Sequence, residues 1–419
     1  MRQSINRRTV LSGIGAAGLA ALAGCLEGDD DEEALDLPDL PDEPEDIDEL
    51  RVGVLAPETG DLGDLGTPIA DAGELPASQL ADEIDYDIDI RREDTETLTD
   101  VGVDRAQALA DAGYTSVTGA AASDVTLPVS QDIYVEEEIV GISPASTAPE
   151  ITEVDGRFML RTTPSDALQG VAAGEVAFQD EGAETAATFH LNDAYGEGLS
   201  NEFSNAFEDE GGEILTQEAF EPEQPSYDSE LEVVLEEEPD LLYIVAFPDS
   251  GEQIFRDFYE SFDLDIPVMV PDGLQENDLP ANVDNPMENV LGTAPSPTGP
   301  GLDTFTDLYN DEYGRDPGVF NAEAYDATVL HMLAQVRAGS HEGPEVAAGV
   351  REVANPGGEV VGPDDLDEAF EMAANGEEIE YQGASSEIEF DENGDLVTAT
   401  FDVFEFSADG YTVTDSIEM

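Results

Sequence analysis

Residues 116–152 read SVTGAAASDVTLPVSQDIYVEEEIVGISPASTAPEIT, and their pattern decides the fold. Two short apolar runs flank a helical span. Thr115–Thr118 leads into the small residues Gly119, Ala120, Ala121 and Ala122, and Ser123-Asp124 then opens a helix to about Glu137. Ile139–Ile142 is a second buried strand, and it empties into the hydroxyls of Ser143, Ser146 and Thr147. Two parallel strands that both end in small polar loops form a ligand crevice at their carboxyl ends. Free backbone N–H groups and hydroxyls there suit a small anion such as a carboxylate.

Working outward, the same alternation continues on both sides. Arg51–Ala56 is a strand, Pro57–Gly66 a Gly- and Asp-rich loop, and a helix follows to about Asp82. Tyr86–Arg92 alternates as a strand, Thr97–Ala112 has a helical period, and Arg157–Thr162 is a strand again. A second series has strands at Thr185–His190, Ile214–Phe220, Leu241–Phe247 and Pro267–Val270, with helices such as Gly198–Glu210 and Ser229–Glu237 between them. The chain then turns helical at Leu302–Tyr313, Phe320–Ala338, Pro344–Ala354 and Pro363–Asn375. Asn393-Gly394 predicts a hairpin within Glu387–Phe406. Strand and helix in alternation give an α/β fold with mainly parallel sheets. No repeat of solenoid length is present.

Of 419 residues, 100 are Asp or Glu and 13 are Lys or Arg, all of them Arg, for a net charge of −87. A hydrophobic fraction of 40% with clear strand runs argues against disorder. The acidic excess is spread along the whole chain, as on a surface adapted to concentrated salt, where self-repulsion is screened. Nucleic acid is excluded as a partner, since phosphate binding needs basic patches.

Residues 1–24 read as an export signal. Arg7-Arg8 before the apolar run Val10–Ala23 resembles a Tat signal, with a Sec signal as the alternative. Leu22-Ala23-Gly24-Cys25 resembles a lipobox, and Cys25, the single cysteine, is the expected lipid anchor. Residues 25–50 are Asp, Glu, Pro and Leu without an apolar period, and are expected to form a disordered acidic tether.

ISPASTAPEIT, with SDVT-x-P before it, resembles the ligand loops of the branched-chain amino-acid-binding proteins, type I periplasmic solute-binding proteins of ABC importers. Thr59–Gly66, in the pattern T-G-x-L-x-x-L-G, resembles the family's first ligand loop. The resemblance implies two α/β lobes joined by three hinge crossings: residues 51–164 with 294–396, and residues 165–293 with 397–419. With the acidic composition and the lipobox-like Leu22–Cys25, it points to a haloarchaeal-like lipoprotein on the outer face of the cell membrane. There, as a monomer without a cofactor, it would bind an amino acid of branched-chain type and deliver it to a permease.

The resemblance also implies site residues. Ser123, Ala145 and Thr147 would hold the ligand's carboxylate, Tyr195 in Asp193-Ala-Tyr195-Gly would close over it, and Asp272 would pair with its ammonium. Tyr325 would stand at the pocket edge. The residues allow plainer readings too. Ser123 suits an N-cap, Thr147-Ala-Pro-Glu150 is a capping box, and Pro271-Asp272-Gly273 is an ordinary turn. Leu65 and Ala246-Phe247 depart from the aromatics common in the family, which leaves the ligand's side chain open.

Catalytic signals are poor. His190, His331 and His341 are scattered without metal-ligand spacing, and neither a P-loop nor a G-x-S-x-G elbow occurs. The chain is therefore expected not to be an enzyme. The alternatives kept open are a binding protein for a small amide or urea, and a ligand sensor without transport.

Overall fold

The computed structural model describes residues 35–81, 83–262 and 266–419. The export signal and Cys25 lie outside the described residues.

The first sheet is built from β1 (Glu49–Ala56), β2 (Asp87–Asp94), β3 (Ser116–Gly119), β4 (Val140–Ser143) and β5 (Met159–Arg161), in the order β2-β1-β3-β4-β5. Every pairing is parallel. β3, β4 and β5 are buried throughout, which is why they read as short unbroken runs rather than as alternation. The predicted helix after β3 is present. Ser123–Val129 continues through a π-turn at Ser130–Tyr134 into Val135–Glu137.

The second sheet uses β6 (Thr185–Leu191), β7 (Glu213–Phe220), β8 (Leu241–Val245), β9 (Val268–Val270) and β10 (Val290–Pro295). After a small parallel pair, β11 (Glu359–Val361) and β12 (Ile379–Tyr381), it is completed by β13 (Thr400–Ser407) and β14 (Gly410–Glu418). Its order is β14-β13-β10-β9-β8-β6-β7, parallel from β10 to β7 and antiparallel at β13 and β14. The architecture is the two-lobe α/β type I periplasmic-binding fold, each sheet flanked by helices.

The helix Asn321–Ala338 is buried at every residue and packs on the first sheet, far from its sequence neighbours. Gln335 explains its register. Its Oε1 accepts the Arg51 N–H at 3.0 Å, while its Nε2 donates to the Arg51 carbonyl at 2.8 Å and to the Ser116 hydroxyl at 3.0 Å. One amide thus satisfies β1 and β3 together, groups that burial would otherwise leave unpaired.

Two expectations need correction. Asn393-Gly394 does turn, but it is flanked only by the isolated bridge between Phe390 and Leu396. The hairpin instead joins β13 to β14 about Ala408-Asp409, with Gly410 at φ +106°. An Asp-Gly step has the same physical basis as Asn-Gly, a residue that tolerates positive φ. The free tether also ends earlier than Leu50. Leu37 and Ile47 pack against the core, the Pro41 carbonyl accepts a hydrogen bond from Arg337 at 3.0 Å, and β1 begins at Glu49. Apolar side chains and one buried arginine hold this stretch on the first lobe.

Candidate functional site

The loops after β3 and β4 are laced together by hydroxyls. Ser143 donates to the Ala120 carbonyl at 2.5 Å, and Ser146 donates to the Ala121 carbonyl at 2.9 Å. Ser123 accepts the Ala148 N–H at 3.2 Å, so it ties the two loops instead of capping its own helix. Thr147 is no cap either. The turn Pro149–Glu153 has Ala148 at its N-cap, and the fully buried Thr147 hydroxyl has no partner among the described residues. Arg161 fixes the loop from behind. It donates to the Thr147 and Ala148 carbonyls at 3.0 and 2.9 Å and pairs with Asp395 at 2.6 Å.

The second lobe faces these loops with the carboxyl ends of β6, β8 and β9. Asp193 caps the helix Ala194–Glu210 by accepting the Gly196 N–H at 2.7 Å, which sets Tyr195 in the first turn. The Tyr195 ring stacks on Phe247, centroids 5.3 Å apart and planes 4° from parallel. Asp272 follows β9 in a short turn; its carboxylate accepts Gln169 Nε2 at 2.7 Å and the Tyr195 hydroxyl at 3.3 Å. Burial pushes the Asp272 carboxyl up to about 6, with the bond from Gln169 opposing the shift. The hydrogen-bonding partners of this buried acid are all uncharged.

Both sides meet at a small cavity of about 10 Å³, lined by Leu62, Ile69, Ala121, Ser123, Ala145 and Phe320 from the first lobe and by Tyr195, Phe247, Asp272 and Gly273 from the second. That is room for about one water molecule. A larger guest enters only if the lobes part, a hinge motion for which the fold provides connections after β5, after β10 and before β13. Gly60, at φ +87°, and Gly66 turn the first loop back toward the cleft; a Cβ on Gly66 would meet the Pro57 carbonyl oxygen at 1.8 Å.

Four of the residues singled out from sequence, Ser123, Ala145, Tyr195 and Asp272, therefore line one cavity. Thr147, two residues beyond Ala145, is buried and is not among the residues that line it. Tyr325 does not join them. Its ring is fully buried against Phe305, at 5.3 Å between centroids, and its hydroxyl donates to Gln79 at 2.7 Å. It is a core residue, because every face of its helix is covered. Sequence reading missed Phe320, whose only signal is its position before a helix, and it took Phe247 as a departure, although it forms part of the wall.

Two α/β lobes with convergent strand ends, joined by a hinge, define a solute-binding protein. The family profile described as periplasmic binding protein matches residues 49–375, and the chain belongs to that family. A leucine-, isoleucine-, valine-, threonine- and alanine-binding protein of Pseudomonas aeruginosa is 24% identical over 370 residues, covering 86% of this chain and 91% of that one. The crystal structure of a leucine-binding protein from Thermotoga maritima superposes with a TM-score of 0.75 at 23% identity, covering 88% of this chain and 98% of its own. A solute-binding protein of an ABC transporter from R. palustris, solved in complex with benzoate, gives 0.72 at 18% identity, covering 88% and 96%.

Proposed function

We propose that the chain is a lipid-anchored solute-binding protein of an ABC importer, held by Cys25 on the outer face of the cell membrane, that closes on an amino acid of branched-chain type and delivers it to a permease. The observation that carries this reading is Asp272: a buried carboxylate at the cleft whose side-chain partners among the described residues are the neutral Gln169 and Tyr195. A ligand ammonium supplies the missing positive charge through a charge-assisted hydrogen bond. Ser123, Thr147 and the backbone at Ala145 hold the opposite, carboxylate end. Leu62, Ile69, Phe247 and Phe320 offer apolar walls to an aliphatic side chain.

The moving bodies are residues 51–164 with 294–396, and residues 165–293 with 397–419. The Pseudomonas relative's name supports an aliphatic amino acid, and the acidic composition supports work in concentrated salt, in a haloarchaeal-like setting. Calorimetry in molar KCl with leucine, isoleucine and valine, and with acetamide and urea beside them, tests the reading. Micromolar or tighter binding of at least one of the three amino acids is expected. Binding of acetamide or urea alone overturns it.

A further inference from the structure

The three connections between the lobes border a second cavity. It measures about 380 Å³ and is lined by Thr162 and Pro164 after β5, by Ser296 and Thr298 after β10, and by Thr398 and Ala399 before β13. It shares no lining residue with the cavity of the cleft. That volume has room for a small organic molecule, where the cleft cavity has room for one water.

Glu323 lies in its wall. It stands in the first turn of the helix Asn321–Ala338, is only 3% exposed, and its Oε2 has no hydrogen-bond partner among the described residues. The Ser386 hydroxyl, on the same lining, has none either. Asp326, one turn on, shows how this helix satisfies a buried acid. Its carboxylate accepts the Ala384 and Ser385 N–H groups at 2.9 and 2.7 Å and the hydroxyls of Ser385 and Tyr381 at 2.6 and 2.8 Å. Glu323 Oε2 is given no such donor, and burial pushes its carboxyl up to about 8. An acid held this way is costly unless something else brings the donor.

The lining does not bring it. It contains no basic residue, and it ends in two exposed acids, Glu387 and Glu418. Among the described residues no three acids or histidines converge as metal ligands, so the fit is to a cation that carries its own N–H donors. An ammonium carries three. Pro295, Leu396 and Ala399 add apolar wall for an aliphatic stem. We propose that this cavity is a binding site for a small aliphatic diamine, with one ammonium on Glu323 and the other on Glu387 and Glu418. The site is separate from the cleft and goes beyond the proposed function. A guest there touches every connection that must bend when the lobes part, so its binding bears on closure.

The test is calorimetry of the full chain in molar KCl at pH 8 with 1,4-diaminobutane. At that salt the Debye length is about 3 Å, so attraction of a dication to the acidic surface at large is screened. Saturable binding at about millimolar concentration or below is expected, and tetramethylammonium, a cation without N–H donors, should bind at least about tenfold more weakly. Glu323→Gln should cut the diamine affinity by about tenfold or more, whereas a diamine seated on Asp272 in the cleft would not notice the change. Should Glu323→Gln fail to fold, Glu387→Gln combined with Glu418→Gln alters only exposed acids and should weaken binding by about threefold. Absence of saturable binding, equal binding of tetramethylammonium, or either variant binding the diamine like the parent overturns the proposal and leaves the proposed function intact.

Discussion

Across the cleft, the Asp61 carboxylate of the first lobe accepts the Ser250 N–H at 2.8 Å and the Ser250 hydroxyl at 2.9 Å. Ser250 stands in the first turn of the helix Pro248–Ser261, where free N–H groups and the helix dipole favour a negative charge. One lobe thus caps a helix of the other, and the contact exists only when the lobes are together. Burial nevertheless pushes the Asp61 carboxyl up to about 6, with Ser250 opposing the shift.

That raised value gives closure a pH dependence. Asp61 is protonated more readily in the closed state than when solvated, so its contribution to closure is fully present below about 4 and is lost as pH rises through about 6. Small-angle scattering of the ligand-free protein should show a larger radius at pH 7 than at pH 5. Asp61→Asn keeps an acceptor for Ser250 but cannot titrate, so it should flatten the change. An unaltered profile in Asp61→Asn would assign the pH response elsewhere.

Asp272→Asn should reduce leucine affinity by roughly thirtyfold or more, since losing one partner of a buried ion pair costs about 2–5 kcal/mol. The melting temperature without ligand should hold steady or rise, because the variant removes a charge whose burial is unfavourable. Parallel calorimetry and thermal melts separate the two effects. A variant that melts earlier but binds leucine normally would make Asp272 a plain turn residue.

Salt should control folding. Glu276 is pushed up to about 8 by burial and by the charges of Asp64, Glu252, Asp278 and Asp249, so acid faces acid between the lobes. On dilution to 0.01 M salt the Debye length grows to about 30 Å, and repulsion from the −87 charge acts over much of the molecule. Circular dichroism followed from molar KCl into dilute buffer should record loss of structure. Persistence of the full helical signal there would remove the argument from concentrated salt.

Cys25→Ser should leave the protein unprocessed or release it to the medium, because no helix among the described residues is long and apolar enough to cross a membrane. Fractionation of expressing cells reads this directly. Variant protein that is still cleaved and still sediments with membranes would refute anchoring through Cys25.

The paired strand ends around residues 116–152 were legible because a parallel sheet buried on both faces writes itself as short apolar runs, and the loops between them as small and hydroxylic residues. Tyr195 and Asp272 were legible through the resemblance of their loops to a known family, and the fold places each shortly after a strand. Phe320 was not: an aromatic at the start of a helix gives no sign of where it faces, and only the fold brings it to the cavity. Tyr325 misled because an aromatic on a helix covered on every face leaves no polar stripe by which to orient it. Asn393-Gly394 misled because a turn signal does not specify what its arms pair with, and Asp409-Gly410 offered the same signal where the strands are long.

The buried helix Asn321–Ala338 bears on the order in which the molecule assembles. β1 to β5 leave the ribosome first, yet the segment that covers them is made only after β6 to β10. During synthesis the earlier lobe must wait with an apolar sheet face uncovered, while the central strands of the later lobe, contiguous from Thr185 to Pro295, have their partners at hand. The cover of the lobe begun first is therefore made only after the central strands of the other, and a chain cut short before Ala338 exposes that face to every neighbouring nascent chain.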